Sequence, residues 1–154
     1  MAGLTLDPFS KEILEQELRG FIEGSGDSGT LQRYGPLAEE VRAGAVSEDR
    51  VAALETLLEL LLDSGRARRL HGAAGENALA SVYLTTPKGS ALSDLAARVN
   101  GALRGIEGHT LGQIAFRAEG PGRWALSVRT DRCELLLRID RNGLRLDQVG
   151  VELG

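Results

Sequence analysis

From Leu111 to Leu153 apolar and polar residues alternate in four segments: Gly112 to Arg117, Trp124 to Thr130, Cys133 to Arg141, and Leu144 to Leu153. Short turn signals separate them. A period of two means a strand with one buried face, so the pattern predicts four consecutive antiparallel strands. Ile114, Phe116, Trp124, Leu126, Val128, Cys133, Leu135, Leu137, Ile139, Leu144 and Leu146 share the apolar face. Gln113, Arg117, Ser127, Arg129, Glu134, Arg138, Arg145 and Asp147 share the other, which is left to water.

The last hairpin can be assigned a register. Asn142-Gly143 suits a two-residue type I′ turn, which sets Arg141 opposite Leu144, Asp140 opposite Arg145 and Arg138 opposite Asp147. Opposing Arg138 to Arg145 would place like charges together and is disfavoured. The alternation then slips by one residue between Leu146 and Val149. Val149, Val151 and Leu153 regain the apolar face only with an extra residue near Asp147 or Gln148, which predicts a β-bulge.

The first half of the chain has a helical period instead. Asp7 caps a helix that opens on Pro8 and runs to about Glu23, with Ile13, Leu14, Leu18, Phe21 and Ile22 on one face. Gly24-Ser25-Gly26-Asp27-Ser28-Gly29 then breaks it. That hexapeptide matches G-x-G-x-x-G, but a dinucleotide fingerprint must follow a strand; here it follows a helix and is read as a flexible linker. Pro36 starts a short helix to about Ala43, with Leu37 and Val41 inward. Ser47 caps the strongest helix, Glu48 to Asp63. Its apolar surface of Val51, Leu54, Leu57, Leu58, Leu60, Leu61 and Leu62 is too broad for a helix on open solvent. It is either central in a helical layer or half of a dimer contact, and Ser64-Gly65 stops it.

Between the two patterns, Ala78 to Leu84 reads as a strand at its Val82 end or as the tail of a helix, and the strand is preferred. Pro87 to Ser90 is a turn. Ser90 or Ser93 caps a helix to about Arg104 that lays Leu92, Leu95, Val99 and Leu103 on the sheet. The fold class is α+β: an N-terminal helical layer (residues 1–75), then an antiparallel four- or five-stranded meander packed on one helix (76–154). The order strand, helix, four strands resembles the cystatin-like and hot-dog arrangements, without a sequence motif of either. A fold does not carry its function with it.

The net charge of -4 hides an asymmetry. Residues 1–63 hold thirteen Asp or Glu against five Lys or Arg, and the remainder nine against thirteen. Only Lys11 and Lys88 are lysines, an arginine bias that suits a GC-rich bacterial genome. No apolar run approaches a membrane span. The start Met-Ala-Gly-Leu-Thr-Leu lacks the basic and apolar regions of a signal peptide, and a single cysteine agrees with a reducing compartment. The expectation is a cytoplasmic protein without membrane contact.

Candidate chemistry is sparse. Cys133 shares parity with Leu135 and Leu137, which buries it, and a buried thiol without a nearby cation is inert. His71 and His109 fall outside metal-ligand spacing. Asp94, with Glu107 and His109, is the best acid-base group, although an Asp in a first helical turn is an ordinary dipole choice. The hot-dog resemblance implies an acidic residue on or near the central helix, so Asp94 carries the alternative of a small-molecule or acyl-thioester binding enzyme. No catalytic, metal or cofactor-binding residue is assigned.

Arg66 to Gly72 is the one basic cluster, just past the end of the strongest helix, where cations are favoured. It carries the second alternative, a nucleic-acid-associated module, against which stand the sequence pI of 5.3 and 4% aromatic content. What remains is apolar surface without a cover: Leu57, Leu60 and Leu61, and Leu136 on the polar side of its strand. With Arg66, Arg68 and Arg69 they form the candidate interaction surface. The expected function is a non-enzymatic protein-protein interaction, adaptor or assembly component of a bacterial cytosolic system, with a protein partner and a homodimer as one form.

Overall fold

The structure, a computed structural model, describes residues 3–151, the last four by their backbone alone. In chain order it holds β1 (Leu4–Thr5), α1 (Pro8–Ser25), α2 (Ser28–Ala43), β2 (Ala45–Val46), α3 (Glu48–Asp63), α4 (Arg66–Thr85), α5 (Pro87–Arg104), β3 (Leu111–Gly120), β4 (Arg123–Thr130), β5 (Cys133–Asp140) and β6 (Gly143–Val151). The class is α+β, helices followed by an antiparallel meander. The chain divides into two compact units, Met1–Ala91 and Leu92–Gly154.

In the helical unit Asp7 caps α1 as expected, its Oδ1 accepting from the backbone N–H groups of Phe9 and Ser10. Leu14, Leu18, Leu37, Val41, Leu54 and Leu58 are fully buried and form the centre of the core. α3 is therefore central in a helical layer. β1 and β2 pair antiparallel, Leu4 with Val46, and buried Val46 joins the same core.

Four expectations for this unit are corrected. The glycine-rich hexapeptide is no linker: α1 runs to Ser25, Gly26 caps its end in the left-handed region, and Asp27 caps α2 by accepting from the Thr30 N–H. Its small and polar residues serve as caps for two helices in tight succession. Pro36 lies inside α2 rather than at its start, and α2 begins eight residues earlier, at Ser28. Residues 78–86 hold no strand. α4 continues to Thr85, burying Leu79 and Val82 at helical spacing, so the sheet has four strands and the order needed for a hot-dog or cystatin-like arrangement is absent. The segment from Pro87 to Ser90 is the first turn of α5, with Pro87 at the position where its missing N–H costs nothing.

In the sheet unit the strand order is β3-β4-β5-β6. The register puts Phe116 opposite Leu126, Leu126 opposite Leu137, and Leu137 opposite Leu146, so the expected apolar face is continuous across all four strands. The expected bulge is present: Leu136 pairs with Gln148 and Leu137 with Leu146, which leaves Asp147 as the extra residue. Val149 and Val151 then pair with Leu135 and Cys133, while Leu153 lies outside the described residues.

The last turn differs from its expectation. Asp140 pairs with Gly143 and Arg138 with Arg145, so the loop is Arg141-Asn142. A type I′ turn needs positive φ at both central residues, and of the pair only Gly143 has it, at 112°. Asp140 Oδ1 instead accepts from the Asn142 N–H at 2.7 Å and holds the turn.

Helix α5 covers this face only in part. Val99 is buried against Val128, Leu135 and Leu137, with Ala102 and Ile106 beside it. Leu95 is half-buried, whereas Leu92 and Leu103, expected on the sheet, are exposed.

Candidate functional site

Glu17 lies on the buried side of α1, only 4% exposed. A carboxylate removed from water is costly unless it is bonded, and α4 supplies two donors. Arg66 Nε donates to Glu17 Oε2 at 2.7 Å, and His71 Nε2 to Oε1 at 2.7 Å. A carboxylate only accepts, so Nε2 of His71 carries the proton. Burial pushes the Glu17 carboxyl up, but the hydrogen bonds from Arg66 and His71 outweigh it and hold the group below the ordinary glutamate value. Both donors precede Gly72, whose extended, positive-φ backbone (φ 69, ψ -174) kinks α4 at the next residue.

Beside this network is an open hollow of about 370 Å³ whose lining includes Leu57, Leu60, Leu61 and Arg66, together with Glu17 and Phe21. Four of the seven expected interaction residues thus come together. As an exposed surface, however, that assignment is corrected. Leu57 and Leu61 are each 2% exposed and belong to the core; of the leucines on that side only Leu60 faces water, at 49%. The basic cluster is divided among separate partners. Arg68 pairs with Glu76 at 3.0 Å, and Arg69 Nη1 donates to the Ser64 carbonyl past the end of α3, the structural role expected of cations there. Leu136 is half-buried on the outer face of the sheet, between the positions of Ser127 and Gln148.

The β4–β5 turn brings His109 to Cys133, a Cys-His pairing that the residue types invite and that the burial of Cys133 sets aside. His109 Nδ1 is 3.8 Å from Cys133 Sγ and 3.1 Å from Thr130 Oγ1. The Thr130 hydroxyl also accepts from the Cys133 N–H at 3.0 Å and donates to the Cys133 carbonyl at 3.2 Å. Cys133 is buried, as expected. A nucleophile needs an exposed sulfur and a base oriented toward it; here Thr130 shares the nitrogen that faces the thiol, and the geometry closes a turn. Asp94 is exposed on α5, and the side chain of His109 is engaged by this turn. Among the described residues no group of three or more His, Cys, Asp or Glu is placed to hold a metal ion.

Among the described residues, five of the twelve exposed large apolar side chains are on the sheet. Leu111, Ile114, Phe116, Trp124 and Ile139 all lie on the apolar face, yet their exposures run from 39% to 60%. Phe116 and Trp124 stack, with ring centroids 5.5 Å apart and planes 5° from parallel. On the opposite face the charged residues satisfy one another. Arg138 Nη1 donates to Asp147 at 2.7 Å, and its Nε is 3.1 Å from Glu119 as an ion pair that is not an aligned hydrogen bond. Fully buried Ala125 sits between the positions of Arg117 and Arg138, beneath this network. Sequence alternation marked Ile114, Phe116, Trp124 and Ile139 as inward-facing, while Leu111 reaches that face through the register shift before Gln113; nothing in the alternation signalled that α5 would leave them bare.

Compared with known protein families, curated proteins and solved structures, the chain matches none. Among the described residues no helix is long and apolar enough to cross a membrane.

Proposed function

We propose that this chain is a non-enzymatic interaction or assembly component, an adaptor of the bacterial cytoplasm, and that its contact surface is the uncovered half of the sheet's apolar face. The observation that carries the reading is the exposed row Ile114, Phe116 and Trp124, on a face whose other half is buried under Val99. Contiguous apolar surface on a folded chain is kept at a cost in solubility and commonly marks a protein contact. Stacked aromatic side chains are the typical anchors of such contacts. The lone cysteine and the arginine-rich composition support the compartment and the source.

The test is a paired capture from bacterial extract, with the intact protein and the Phe116→Glu and Ile114→Glu variants as baits. Proteins retained by the intact chain are expected to fall at least about tenfold with both variants, as for loss of an interface anchor. Equal recovery by all three baits would refute the reading.

A further inference from the structure

We infer that the helical unit carries a binding site for a small monocarboxylate with an apolar tail, in the hollow beside Glu17, with the Arg66 guanidinium as the receptor of the carboxylate. The site is built on one stripe of α1: Glu17, Gly20, Phe21 and Gly24 follow one another at helical spacing, and all four line the hollow. Buried Glu17 accepts from Arg66 Nε at 2.7 Å, and its other oxygen is taken by His71. That bond holds the guanidinium in place and leaves its two terminal nitrogens open. Among the described residues neither Nη of Arg66 has a hydrogen-bond or ion-pair partner, and Arg66 lines the hollow. A guanidinium held in this way presents paired N–H donors that match the two oxygens of a carboxylate.

The walls select what that carboxylate is attached to. Phe21, Leu57, Leu60 and Leu61 supply the apolar lining, Leu57 and Leu61 from the core and Leu60 from the surface. Among the described residues Glu17 and Arg66 are the only charged groups in it. Room is left because α1 presents glycine twice: a Cβ on Gly20 or Gly24 would meet nothing within 4 Å. Glycine inside a helix is destabilising relative to alanine, so the space is kept against the preference of the helix itself. At about 370 Å³ the hollow lies at the small end of ligand sites, which run from roughly 300 to 1,000 Å³. Open guanidinium donors call for an anion, the apolar lining for a tail, and the neighbouring Glu17 carboxylate for an anion of one charge only. A short-chain carboxylate meets all three, and its tail would cover Leu60.

Calorimetric titration of hexanoate into the full chain, with amide NMR to locate it, tests the site. The expected results are saturable binding with a Kd of about 1 mM or tighter, and shifts centred on the Gly20 and Gly24 amides. Hexanol, which keeps the tail and lacks the charge, is expected to bind at least about tenfold more weakly. Gly20→Leu fills the hollow where nothing stands in its way, and Arg66→Gln removes the open nitrogens while keeping a donor for Glu17. Each is expected to raise the hexanoate Kd about tenfold or more. Should Arg66→Gln fail to fold, Gly20→Leu, which removes no bond, still decides. Absence of saturable binding overturns the site. Shifts confined to the sheet unit, or hexanoate binding that survives Gly20→Leu, overturn its place in the hollow, and hexanol bound as tightly as hexanoate overturns the role of Arg66.

Discussion

Glu17 Oε1 and His71 Nε2 stand 2.7 Å apart, one residue before α4 kinks at Gly72. Removing the carboxylate strands donors of unequal tolerance. Arg66 is 47% exposed and can turn to water, whereas His71 is 10% exposed and cannot. Glu17→Ala is expected to cost about 2–4 kcal/mol in urea unfolding, and Arg66→Ala less than half of that.

The same carboxylate makes stability depend on pH. Its folded value lies below the ordinary 4.5, so the unfolded chain takes up the proton first. The stabilisation is complete above the unfolded value and is lost as pH falls through the folded one. Urea midpoints measured from pH 6 downward are expected to drop in this acid range more steeply for the intact chain than for Glu17→Gln.

Two glycines of α5 are expected to respond to the same substitution with opposite signs. A Cβ on Gly89 would lie 1.8 Å from the Tyr83 carbonyl oxygen and 2.6 Å from Leu84 Cα, backbone that cannot step aside. A Cβ on Gly101 would meet nothing within 4 Å. Gly89→Ala should destabilise by about 2 kcal/mol or more, and Gly101→Ala should stabilise by up to about 1 kcal/mol, both read by thermal or urea unfolding.

Arg138 and Arg145 face each other directly, and each finds its carboxylate on the diagonal: Asp147 at 2.7 Å and Asp140 at 3.6 Å. Asp147→Asn leaves the like charges less shielded. Because the group is partly exposed, the expected cost is small, about 0.5–1 kcal/mol, and it should shrink further in 1 M salt.

Cys133 is expected to react with a small alkylating reagent at least about tenfold more slowly in the native protein than in urea, as its burial requires. Native reactivity equal to that of the unfolded chain would contradict the closed turn formed with His109 and Thr130.

Alternation across four strands was legible because each strand sets its apolar residues on one face, and the bulge at Asp147 could be read from the single slip in that alternation. The turn was misread because Asn142-Gly143 is a strong local signal, and Asp140 overrode it with one side-chain hydrogen bond. The region from 78 to 86 was ambiguous for a related reason: Val82, Tyr83 and Leu84 fit a strand locally, and it is the burial of Leu79 and Val82 in the helical core that decides for helix. Glu17 was invisible because its partners lie 49 and 54 residues along the chain. The bare row on β3 was invisible because alternation reports which side is apolar, and the width of its cover depends on the placement of a helix.

The bulge in β6 has a consequence for growth. A strand that kinks in its middle is a poor template for a flat neighbour, so this margin of the sheet resists the edge-to-edge addition by which open sheets grow into fibres.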